Sequence, residues 1–212
     1  MKKALVILLV LAGVAAALLY RPLMLGREAK RFAPKLQEYE YLSCPPDPAG
    51  VSEGVLPFAS GTFTVDAARL PRRSGKVFVV RLRKTGTLVF AEDRVPQVDD
   101  AWYELGGDLR ASGPEEVGTL VQAAYALEEG QAYVDPSRPF QGVPIPGARL
   151  DVKAVLGRRT ATLKVIDLQR KLLVGSWKLV GEEPPPTVKR EEIDKMMQPP
   201  PVAAFLKALP QR

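Results

Sequence analysis

The chain opens "MKKALVILLVLAGVAAALLYRP", and the seventeen residues from Ala4 to Tyr20 carry no charge before Arg21-Pro22 ends the run. Nothing else in the sequence restricts the fold as strongly, because a stretch this apolar has no place on the surface of a water-soluble domain. Seventeen residues is also the short limit for crossing a bilayer as a helix. Two readings compete. In one, the run is an uncleaved signal anchor. In the other, Ala4 to Val14 is the apolar region of a signal peptide, with Ala15-Ala16-Ala17 supplying small residues for cleavage. Apolar residues continue past the alanines as Leu18, Leu19 and Tyr20 and resume at Leu23, Met24 and Leu25, which favours the anchor, with Tyr20 at the interface.

Orientation is pulled both ways. Arg21, Arg27, Lys30, Arg31 and Lys35 follow the run, whereas only Lys2, Lys3 and the terminal amine precede it, so the positive-inside rule keeps the rest of the chain cytoplasmic. A short Lys-Lys start before an apolar core is, however, the form of an export signal, and on that basis the C-terminal part is read as extracytoplasmic.

Residues 1–25 thus form a membrane segment. Residues 26–50 are charged and helix-permissive as far as Gln37, then end in "CPPDPAG", whose prolines break a helix; this part reads as a stalk and linker. Residues 51–212 read as a single domain, long enough to bury a core of its own. Strand signals accumulate there: "GTFTV" from Gly61, "KVFVVRLRKTGTLVF" from Lys76, "GARLDVKAV" from Gly147 and "TATLKVIDLQRKLLVGSWKLV" from Thr160. The second and fourth predict hairpins, turning at Lys84-Thr85-Gly86 and at Gln169-Arg170. Near the end, Val202, Phe205, Leu206 and Leu209 fall at helical spacing after a run of prolines and predict a short helix packed on the sheet. The fold class expected is mainly β, antiparallel and β-sandwich-like or α+β, with an N-terminal transmembrane helix and a short C-terminal helix.

"DLRASGPEEVGTLVQAAY", Asp108 to Tyr125, fits two templates. Val117, Leu120, Val121, Ala124 and Tyr125 make a helical stripe behind a Ser112/Glu115 capping box, while Thr119, Val121, Ala123 and Tyr125 alternate as a strand requires. Gly118-Thr119 weighs against the helix by about 1 kcal/mol. "LRASGPEEVGTLV", with "VIDL", "GEEPPP" and the closing "PPPVAAFLKALPQ", resembles an uncharacterised bacterial group of exported or membrane-anchored domains that carry a PEEVGT-like motif before a strand and end in "LP". The resemblance covers residues 70 to 212. It implies a β-rich domain, with Pro114-Glu115-Glu116 as a turn into a strand from Val117 to Tyr125, and brings no activity, cofactor or catalytic residue with it.

Composition narrows the chemistry. The chain has no histidine and one cysteine, Cys44, which excludes Ser-His-Asp and Cys-His arrangements, histidine-ligated metals and internal disulfides. Cys44 lies too far from the apolar run for lipoprotein processing and reads as a small apolar side chain. The formal charge of +6 is spread over short groups such as Arg72-Arg73, Arg81/Arg83 and Arg158-Arg159, a pattern of solvated surface in which no nucleic-acid partner is expected. The adjacent acids Asp99-Asp100, Glu115-Glu116, Glu128-Glu129, Glu182-Glu183 and Glu191-Glu192 diverge on either a helix or a strand and make poor acid/base pairs. Asp167, inside a strand and just before a turn, is the one acid in an unusual setting. Trp102, Tyr103, Tyr125, Tyr133 and Trp177 read as core or cross-strand aromatics before they read as a ligand groove.

No catalytic, cofactor-binding or metal-ligating residue is assigned, and no cofactor is expected. The function expected is a membrane-anchored, extracytoplasmic, non-enzymatic interaction or structural domain, whose partners are the membrane and an envelope protein. Two alternatives stand beside it: a histidine-free hydrolase using carboxylates or a Ser-Lys pair, and an envelope lipid- or polymer-binding domain.

Overall fold

The structure is a computed structural model that describes residues 20, 22–59, 61–83, 97–128, 133–134, 158–183, 187–188 and 199–212. Its centre is a six-stranded sheet built from β1 (Ser52–Phe58), β2 (Lys76–Arg81), β3 (Gln97–Val98), β4 (Val117–Glu128), β6 (Arg158–Asp167) and β7 (Leu172–Gly181), in the order β1-β7-β6-β4-β2-β3. Two short strands, β5 (Tyr133–Val134) and β8 (Thr187–Val188), pair separately in parallel. The molecule is mainly β, as expected, but the large sheet is mixed. β4, β6 and β7 are antiparallel neighbours, whereas β1 lies parallel to β7 and β2 parallel to β4.

β6 and β7 form the hairpin expected from Thr160 onwards, with Leu163 opposite Trp177 and Asp167 opposite Leu172. Its turn spans residues 168–171 and holds Lys171 at φ 54°. The other expected hairpin is not formed by the residues described. β2 instead takes β4 as its neighbour on one side and the two residues of β3 on the other, and the return strand expected at Leu88 to Phe90 lies outside the described residues, as does "GARLDVKAV". "GTFTV" is not a strand either. Only Thr62 bridges, to Ala59, while Phe63 and Val65 tuck against the core.

The stretch 108–125 resolves as a 3-10 turn, Pro114–Glu116, leading into β4. Its ambiguous periodicity has a simple cause. β4 is a central strand covered on both faces from Val117 to Ala123, so apolar residues occupy positions of both parities and the alternation that marks a half-exposed strand is blurred.

Two helical layers cover the sheet. On one face lies the segment read from sequence as a stalk: residues 22–31 are helical, the helix is interrupted at Phe32, and α1 (Ala33–Tyr41) continues with Pro34 in its first turn. Ala29, Phe32, Leu36 and Tyr39 form a stripe at helical spacing that faces the core. Phe32 is fully buried, its ring stacked on Phe78 of β2 at 3.9 Å and set edge-on to Trp102 at 5.7 Å. The single core therefore draws on both sides of residue 50. On the opposite face lies α3 (Val202–Ala208), where Val202, Phe205, Leu206 and Leu209 are buried as their spacing predicts, with Phe205 against Trp177 of β7. A four-residue helix, α2 (Asp100–Tyr103), closes the β3 side with a buried Trp102. Among the described residues no helix is long and apolar enough to cross a membrane, and Ala4 to Leu19 lie outside them.

Candidate functional site

Three polar clusters penetrate the core, and each is assembled from groups that hold backbone in place. The first surrounds Asp167, 1% exposed at the end of β6. Its Oδ1 accepts hydrogen bonds from the N–H groups of Gln169 and Arg170, closing the β6–β7 turn as an Asx-type cap. Its Oδ2 accepts from the Ser74 hydroxyl at 2.7 Å and from the Arg212 guanidinium at 3.3 Å. Thr119 of β4 completes the cluster, accepting from the Ser74 N–H at 2.8 Å and donating to the Ser74 carbonyl at 2.9 Å. The unusual setting noticed in the sequence is thus a junction between a turn, the Arg73–Gln211 bridge and the start of β4. Both carboxylate oxygens are occupied by donors, and no second acid touches them among the described residues.

The second cluster sits at the far end of β2. Asp99, fully buried, caps α2 by accepting from the Ala101 N–H at 2.9 Å. It also accepts from the Tyr125 hydroxyl at 2.9 Å and from Arg81 Nε at 3.2 Å. Arg81 reaches on to Asp100 at 2.7 Å and lies over the Tyr125 ring at 5.1 Å. Burial, followed by the negative charge of Asp99, pushes the Tyr125 phenol far above its ordinary range.

In the third cluster, Gln122 of β4 donates its Nε2 to the carbonyls of Tyr39 at 2.8 Å, Glu40 at 3.3 Å and Leu42 at 2.8 Å, capping the C-terminal end of α1. Glu40 pairs with Arg83 Nε at 2.9 Å, and at the other end of the helical segment Glu28 pairs with Arg110 at 3.2 Å.

The remaining acids singled out in the sequence carry similar duties. Glu116, not Glu115, makes the cap before β4: its Oε2 accepts from the Ser112 N–H and from Lys76 Nζ, each at 2.9 Å. Those two donors, the backbone one first, hold its carboxyl below the usual range. Glu183 pairs with Arg158 at 2.7 Å. Glu129, Glu191 and Glu192 lie outside the described residues. Trp102 and Trp177 are core, and Tyr103 meets Trp102 edge-on at 4.9 Å. Cys44 packs partly buried against the core, and burial raises its thiol pKa.

One region of the sheet carries no helix. Beside α1, on the same face, β6, β7 and β1 present Thr162, Lys164, Ser176, Lys178, Glu53 and Val55, with Gln122, Lys164, Ser176 and Glu53 in register across four strands. A shallow depression of ≈ 400 Å³ lies here, lined by Glu53, Val55, Thr162, Ser176 and Lys178, with Gly54 and Trp177 beneath. Two hydroxyls, one carboxylate and one ammonium group are set there among apolar surface that includes Val55 and Trp177, and the depression is open to solvent, which suits contact with an extended surface better than enclosure of a small molecule. Among the described residues no three acids or cysteines are arranged to hold a metal ion. Sequence reading did not single out this surface, because Thr162, Lys164, Ser176 and Lys178 look like the ordinary solvent-facing half of alternating strands.

Comparison with family models, with curated proteins and with solved structures finds no match to this chain.

Proposed function

We propose that the chain is a membrane-anchored, extracytoplasmic domain whose work is structural or interactive and not enzymatic, held to the bilayer through Ala4 to Tyr20. The observation that carries this reading is the way the helical segment following the apolar run is built into the core. Phe32, fully buried between Phe78 and Trp102, ties the helical segment to the domain, and Glu28–Arg110 and Glu40–Arg83 hold it on either side. A flexible tether needs no such docking. The buried acids and the Ser74 hydroxyl are spent on turns, caps and arginines, and Ser74 has no lysine partner among the described residues, so the hydrolase alternative gains nothing from the geometry. The resemblance to exported or membrane-anchored bacterial domains accords with this reading.

Carbonate extraction of membranes from cells expressing the full chain tests the anchor: the protein should stay with the membrane at its unprocessed mass, and release into the soluble fraction would refute it. A tag after Arg212 tests the side. External protease should remove it in intact spheroplasts, and protection until lysis would instead favour the cytoplasmic orientation. A polymer-binding role is the second reading, and the open depression on β1, β7 and β6, where Thr162, Ser176 and Lys178 lie beside Val55 and Trp177, favours it. Binding of isolated envelope polymers that is weakened by Lys178→Glu and Ser176→Leu, with folding intact, would distinguish it from a purely structural role.

A further inference from the structure

Four of the six main strands have an end at the same side of the sheet. β2 and β4 begin there, β6 ends and β7 begins there, and Val77, Thr119, Asp167 and Leu172 are in register across it. Arg110 bridges Val77 at this end, and Arg110 is the residue that receives Glu28 of the N-terminal helical segment. Residues preceding Glu28 therefore lead away from the domain at the end where β2 begins, and Tyr20, Leu23 and Met24 are correspondingly exposed. At the 1.5 Å rise of a helix, the six steps from Pro22 to Glu28 span about 9 Å.

That short spacing brings charge close to the place where the apolar run stops. Arg72, just before β2, and Lys171, at the tip of the β6–β7 turn, are exposed at this end, and neither pairs with an acid among the described residues. Arg27, Lys30 and Arg31 on the helical segment are exposed and likewise without acidic partners among the described residues. Asp108 and Glu115 oppose them; Glu116 and Asp47, also here, are engaged by Lys76 and by Arg170.

We propose that this end of the sheet rests on the anionic phospholipid headgroups of the bilayer that holds the anchor, with Arg72 and Lys171 as its contacts and Arg27, Lys30 and Arg31 as a basic collar around the emerging helix. Charge complementarity and continuity with the apolar run select lipid over a protein partner. Each basic side chain near an anionic surface adds attraction that falls off within a Debye length of about 10 Å, comparable to the reach these side chains need. The proposal rests on the anchored reading above. It adds that the domain stands on the membrane by this end of its strands, leaving the depression on β1, β7 and β6 at its flank.

The test uses the full chain in vesicles whose lipids carry a quencher at headgroup level. In a Cys44→Ser background, a fluorophore is attached either at Gln169→Cys, in the β6–β7 turn, or at Leu127→Cys, eight residues along β4 from Thr119 and so about 26 Å away. The label at 169 should be quenched about twofold more in vesicles with about 30% phosphatidylglycerol than in pure phosphatidylcholine. The excess should vanish in about 1 M sodium chloride, where the Debye length is about 3 Å. The label at 127 should stay unquenched throughout. Arg72→Glu with Lys171→Glu should abolish the quenching at 169 with the melting temperature unchanged; if that variant does not fold, the lipid and salt comparisons on the unreversed protein still decide. Protein that floats with the vesicles but shows equal quenching at 169 and 127, or no dependence on anionic lipid, overturns the proposal and leaves the anchor standing. Protein that fails to float overturns both.

Discussion

Gly118 sits where a side chain has no room. A Cβ there would lie 2.0 Å from the Ser74 carbonyl oxygen and 3.0 Å from Gly75 Cα, and both obstacles are backbone. Gly75 in turn holds φ at 61°, a left-handed conformation that favours glycine, so the chain before β2 has little freedom to retreat. Gly118→Ala is expected to destabilise by about 1–3 kcal/mol, the usual cost of overpacking, seen as a lower denaturant midpoint at unchanged slope. Titration of single groups sets the pH limits. Tyr125 has its folded pKa raised by burial and by Asp99, so the stability it contributes is complete below the unfolded value near pH 10 and is lost as pH rises beyond it. Glu116 and Asp47 have theirs lowered, by the Ser112 N–H and by Arg170 first, so their contribution is present above the ordinary carboxylate range near pH 4 and is lost as pH falls below it. Melting temperature against pH should therefore show a plateau with an acid and an alkaline limb, and Tyr125→Phe should make the alkaline limb shallower while leaving the acid limb unchanged.

At the scale of elements, legibility followed exposure. The β6–β7 hairpin and α3 could be read because each has one wet side and one dry side, and that contrast writes the period into the sequence. β1 was missed. "SEGVLPF" contains Gly54 and Pro57, which argue against a strand, yet among the described residues β1 is an edge strand paired with β7 alone, and an edge strand tolerates a proline. Gly54 is required besides, since a Cβ there would meet the Trp177 ring at 2.5 Å. The helix over residues 22–41 was read as a stalk because its buried stripe is narrow and its other positions are charged; only the partner surface around Phe78 makes that stripe count. Asp167 was noticed for the right reason, a carboxylate where a strand meets a turn, but its link to Ser74 and Arg212 joins residues far apart in sequence and leaves no local trace. Gln122 gives a test of the helix–sheet join. Gln122→Leu removes the donor shared by the carbonyls of Tyr39, Glu40 and Leu42 at the end of α1 and is expected to cost about 1–3 kcal/mol, with amide exchange accelerated first across residues 33–41.

For the whole molecule, the boundary of the folding unit lies well before residue 50. A chain starting at residue 51 would expose Phe78 and Trp102, which lose Phe32 and Tyr39 as neighbours. Removing one large aromatic from a core costs about 3–5 kcal/mol, and this truncation removes two, against a total stability of about 5–15 kcal/mol for a domain. The fragment 51–212 is expected to bind a hydrophobic dye and lack a cooperative thermal transition, while the fragment 20–212 should melt cooperatively; equal melting of the two would show the helical layer to be dispensable.

The parallel pairing of β1 with β7 bears on how the chain comes into being. Ser52 lies against Gly175, so more than half of the sequence separates the two sides of that ladder. A ribosome or a translocation pore delivers the N-terminal side first, and β1 must wait, with Leu56 and Phe58 unsheltered, until the last quarter of the polypeptide arrives. β6 and β7, joined by a tight turn, can zip together within themselves as soon as they emerge, and the finished hairpin then offers one flank to β4 and the other to β1. Such a topology favours assembly from the C-terminal hairpin outward, against the direction of synthesis, and Pro57 and Gly54 make the waiting strand a poor template for other edges.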